Sequence, residues 1–118
     1  MTDVKHETLL PVLNIVREAR TELVGGEPDG AARSTELLRL ADRWACELPA
    51  EVLDDPDTLQ SVTAVRTQIR TCLIAADQLL DAGVASAVVA EVLSRGTTVA
   101  AQALVTALYG PETVGATP

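Results

Sequence analysis

The chain has 118 residues and a formal net charge of −8, with a pI of about 4.4. That is one domain's length, and the acidity disfavours phosphate backbones and anionic membrane surfaces. With no Phe, one Trp and one Tyr, any core must be built from Leu, Val, Ile and Ala.

Apolar residues recur at helical spacing throughout and strand-like alternation does not compete. The first helix is expected over residues 8–24, with Leu9, Val12, Leu13, Val16, Ala19 and Leu23 inward. With Thr8 as N-cap, Pro11 falls in the first turn, where it is tolerated; a start at Asp3 would put it inside the helix. Gly25-Gly26 ends this helix, and residues 27–30 read as a turn.

The second helix is expected over 31–48, stopped by Pro49, with Leu37, Leu40, Ala41, Trp44 and Leu48 as its apolar stripe. Residues 50–55 form a short acidic connection with room for one helical turn. The third helix starts with Asp55 as N-cap and Pro56 at N1. It runs to about residue 82, closed by Gly83, with Leu59, Val62, Val65, Ile69, Cys72, Leu73, Ala76 and Leu80 inward. The fourth runs over 84–109 and stops at Gly110-Pro111. Gly96 is costly within a helix, by ~1 kcal/mol, and suggests a break near 94–97. Residues 112–118 are expected to be a disordered tail.

Short connections predict one all-α domain over residues 1–111. Its expected form is an antiparallel up-down-up-down four-helix bundle with long third and fourth helices. On the fourth helix the polar stripe is narrow: Glu91, Arg95, Thr98, Gln102 and Thr106. So wide an apolar surface should be buried on more than one side. The first two helices are shorter than the last two, so part of the long hairpin should overhang them and need a partner chain. Val88, Val92, Val99 and Ala103 are the expected interface. Trp44 is a second candidate there, although its place on the apolar stripe suits a core anchor better.

Candidate chemistry is sparse. The 47–57 segment carries Glu47, Glu51, Asp54, Asp55 and Asp57 without a basic residue, but it lacks calcium-loop spacing and reads as helix capping. Glu18 with Glu22, and Asp77 with Asp81, are i, i+4 carboxylate pairs that two parallel helices would bring toward one end. They are weak candidates for a magnesium site, since Glu18 and Glu22 point away from the apolar face. His6, the one histidine, has no positioned second group for acid–base work. Cys46, opposite the apolar stripe near Asp42 and Arg43, is a candidate reactive thiol whose simpler reading is packing. Cys72 reads as a buried small residue.

The Gly83-centred turn looks like that of a helix-turn-helix, but residues 85–94 offer no Arg, Lys, Asn or Gln to read bases. No phosphate-binding, dinucleotide-binding, nucleophile-elbow or Cys-x-x-Cys motif occurs. These observations predict no catalytic residues, cofactor or metal. They favour a cytoplasmic, non-enzymatic helical interaction module that pairs with itself or a partner protein, without nucleic acid or membrane. The alternatives are an acidic inhibitor, antitoxin or immunity-type protein covering a basic site, and a magnesium-dependent hydrolase built on the carboxylate pairs.

Overall fold

The computed structural model describes residues 4–24 and 29–109. The described residues form five helices packed together: α1 (Val4–Val24), α2 (Gly30–Cys46), α3 (Ala50–Leu53), α4 (Pro56–Asp81) and α5 (Ser86–Tyr109). The expected double-glycine stop at residues 25–26, residues 27–28 of the turn after it, the Gly110-Pro111 stop and the 112–118 tail lie outside the described residues.

Three boundaries depart clearly from the sequence expectation: the start of α1, the end of α2 and the start of α5. α1 begins at Val4, so Pro11 lies inside it and cannot donate to the Glu7 carbonyl. Thr8 is no N-cap. Its Oγ1 donates instead to the Val4 carbonyl at 2.7 Å. The extra turn is secured by tertiary contact, since the His6 ring meets Tyr109 edge-on at the far end of α5, centroids 5.8 Å apart.

α2 ends at Cys46 because Leu48 precedes proline and is pushed out of the α region. The Glu47 N–H closes the helix on the Arg43 and Trp44 carbonyls. Pro49 then opens the one-turn α3, pinned by buried Val52.

α4 starts as the sequence predicts. Asp55 caps it, with Oδ2 accepting from the Thr58 N–H at 3.3 Å and from Thr58 Oγ1 at 2.6 Å. It ends in a paired hydrogen-bond stop, Gly83 N–H to the Leu80 carbonyl and Val84 N–H to that of Leu79. Gly83 adopts φ +75°, which favours glycine. Ala85 follows, its carbonyl accepting from the Val88 and Val89 N–H groups, and α5 begins at Ser86 rather than residue 84.

The expected break at Gly96 does not occur; α5 is continuous. A side chain at Gly96 would strike Cys72, so the glycine is there for close approach of α4 and α5. Packing stabilises a residue whose own helix propensity is poor.

α1 packs on α2 and α5, α4 packs on α5 and α2, and α3 sits against α4 and α1. Leu9, Leu13, Leu38, Ile69, Leu93 and Leu104 are the largest fully buried side chains. On α2 the inward row is Leu38, Ala41 and Ala45, with Leu37, Leu40 and Trp44 displaced to the flanks. On α4, Leu59 and Leu80 prove exposed while the rows between them are buried or half-buried. The overhang is also covered. α1 runs beside α5 from the His6–Tyr109 contact to a small cavity that Leu23 lines with Ser86, Ala87 and Ala90.

Candidate functional site

α5 turns Val89, Leu93, Gly96, Thr97, Ala100, Leu104, Ala107 and Leu108 into the protein. The buried Thr97 hydroxyl is satisfied by donating to the Ser94 carbonyl at 2.9 Å. Between this row and the polar stripe runs a band containing four expected interface residues. Val88 and Val99 are 48% and 49% exposed. Val92 and Ala103 are half-buried and pack against the core's edge. Spacings of four, seven and four residues keep all four on one strip of the helix surface. What remains open is thus a lateral face along the helix rather than an overhanging tip.

Two charges accompany the strip. Glu91 and Arg95 form an i, i+4 ion pair at 3.3 Å, both exposed. By length and composition alone α5 is apolar enough to cross a membrane, and about a third of that stretch is buried within the protein. Glu91 and Arg95 interrupt the stretch, so no uncharged run marks it in the sequence.

Trp44 stands apart from the strip. It is 37% exposed rather than a core anchor. With Thr8, Pro11, Glu47, Leu48 and Pro49 it lines an open, mostly apolar groove of about 340 Å³. Sequence reading missed this groove because it requires α1 to begin before Thr8; the cluster of two prolines with a tryptophan was its only trace.

One member of each expected carboxylate pair is held in an ion pair, while Glu18 and Asp81 are exposed. Glu22 pairs with Arg33, and Asp77 with Arg39 at 3.6 Å. Asp42 receives Arg66 at 3.1 Å and Arg70 at 3.4 Å, two arginines one turn apart on α4. Among the described residues no three His, Cys, Asp or Glu side chains converge as a metal would require. Asp55 serves as a cap, and the Thr58 hydroxyl bonded to it holds its carboxyl below the usual value of 3.8. Cys46 is exposed at the end of α2. Burial pushes the Cys72 thiol up to about 11, which leaves it a poor nucleophile at neutral pH.

No protein-family model, curated protein or solved structure matches this chain.

Proposed function

We propose that this protein is a non-enzymatic helical interaction module, an adaptor, regulator or assembly subunit, acting as a cytoplasmic homodimer without cofactor, nucleic acid or membrane. In this reading the four long helices form an antiparallel up-down-up-down bundle with α3 as an appendage. The observation that carries it is the strip Val88, Val92, Val99 and Ala103 on α5. Scattered apolar residues on a surface are ordinary, whereas four on one side of a single helix suit a partner helix. Light scattering tests it: a mass near twice 12.4 kDa at tens of micromolar is expected. A monodisperse monomer with no co-purifying protein overturns it.

A second reading has its own support. Arg33, Arg39, Arg66, Arg70 and Arg95 are engaged in ion pairs within the chain. Glu47, Glu51, Asp54 and Asp57 stay exposed around α3. Such an acidic end suits an inhibitor of a basic site, whose association rate would fall steeply with added salt. A salt-insensitive complex would remove this reading.

A further inference from the structure

The Trp44 groove is chemically one-sided. Trp44 lies in the last turn of α2, and Glu47 follows three residues on, a spacing that puts both on one side of the helix end. Pro11, Leu48 and Pro49 supply apolar walls. The polar groups there can only accept hydrogen bonds. Thr8 Oγ1 already donates its proton to the Val4 carbonyl at 2.7 Å. Glu47 is exposed and makes no ion pair among the described residues. Pro49 has no N–H for the Ala45 carbonyl, and the C-terminal end of α2 carries the negative end of its helix dipole. Among the described residues no Lys, Arg or His lines the groove. Lys5, three residues before Thr8, exerts its charge on Asp55. Arg43 is next to Trp44 in sequence, and adjacent helix positions do not face each other.

We propose that this groove seats an arginine side chain from a basic segment of a partner protein. The inference rests on the reading that the acidic end around α3 covers a basic site, and it names the anchor of that contact. Arginine carries five N–H donors and no acceptor, which matches a wall of acceptors. Its guanidinium plane stacks on an indole face while the edge reaches a carboxylate, and its methylene stem packs on apolar walls. At about 340 Å³ the groove is at the small end of ligand sites, fit for a long side chain and its neighbour rather than a cofactor. Glu51, Asp54 and Asp57 stay exposed just beyond Pro49, so further basic residues of the segment meet favourable charge. Residues 110–118 of the chain itself contain Glu112 and no Lys or Arg, so they cannot supply the cation.

Trp44 is the one tryptophan, so its emission reports on the groove alone. The probe is the blocked pentapeptide Ala-Leu-Arg-Leu-Ala, titrated to ~5 mM, beside versions with lysine, glutamine or glutamate in place of arginine. The arginine peptide should shift Trp44 emission saturably, the lysine version less tightly, and the other two not at all. Glu47→Gln should weaken the arginine peptide by about fivefold, while Glu36→Gln, which removes an exposed charge elsewhere on α2, should not. By calorimetry, Trp44→Ala should abolish binding. An equal response to the lysine or glutamine version overturns arginine as the occupant. Emission of the chain alone that shifts with protein concentration gives the groove to a second copy and overturns the foreign partner. Calorimetric binding that is steeply salt-dependent, yet leaves Trp44 emission unchanged and survives Glu47→Gln, overturns the groove and leaves the acidic-end reading standing. No binding by either method overturns both.

Discussion

Gly96 and Cys72 meet where α5 crosses α4, so closely that a Cβ on Gly96 would lie 2.7 Å from both Cβ and Sγ of Cys72. Neither backbone nor Cβ can swing aside as the end of a long side chain could. Replacing glycine by alanine in a helix normally gains ~1 kcal/mol. Here overpacking, typically about 1–3 kcal/mol, opposes that gain. Gly96→Ala should therefore lower stability by about 1 kcal/mol net, seen as a lower urea midpoint. Adding Cys72→Ala removes the sulfur contact but not the Cβ contact, so it should rescue only partly. A stabilised Gly96→Ala would show that the two helices are not in close contact there.

Ser34 presents the opposite case. Its side chain is fully buried on α2, and its hydroxyl has no hydrogen-bond partner among the described residues. An unbonded buried hydroxyl costs roughly 1–3 kcal/mol, and alanine is also the better helix former. Ser34→Ala should raise stability by about 1 kcal/mol, seen as a higher urea midpoint with unchanged slope.

The α4 cap gives a pH dependence with a definite sign. The Asp55 carboxyl titrates below its usual 3.8, chiefly through the Thr58 hydroxyl bond. A depressed folded-state value adds stability that is complete above the unfolded value and is lost as pH falls through the folded one. Thermal melts of the native chain should lose stability below about pH 4. Asp55→Ala should melt lower at neutral pH and show a smaller further loss on acidification.

The two cysteines should separate by reactivity. Cys46 is exposed, and Cys72 is buried with its thiol raised to about 11. A thiol reagent at pH 7.5 should titrate one cysteine rapidly in the folded protein and the second only on unfolding. Cys46→Ser should abolish the fast phase. Rapid labelling of Cys72 would mean that the α4–α5 contact opens readily.

These features show which parts of the fold are written locally. Asp55-Pro56 and Gly83 announce the ends of α4 because caps depend on neighbouring backbone and side-chain groups. The inward row of α1 was legible for the same reason of spacing, Leu23 alone moving to the edge. Pro11 misled because proline near a start is usually a first-turn residue, whereas the His6–Tyr109 contact extends α1 past it. On α2, Leu37 and Leu38 offer adjacent apolar rows, and periodicity cannot choose between them. The packing of α1 and α4 selects Leu38 with Ala41 and Ala45, which displaces Trp44 into its groove. On α5 the strip Val88, Val92, Val99 and Ala103 was visible as excess apolar surface. Which side of the helix stays open depended on where α1 and α4 lie.

The central claim is that the α5 strip, and not exposed apolar surface in general, joins two copies of the chain. Sedimentation equilibrium of Val99→Glu beside Ile74→Glu tests it most directly, because both replace exposed apolar residues, one on α5 and one on α4. The account predicts that Val99→Glu sediments as a folded monomer while wild type and Ile74→Glu sediment as dimers. A Val99→Glu chain that remains as dimeric as wild type would contradict it.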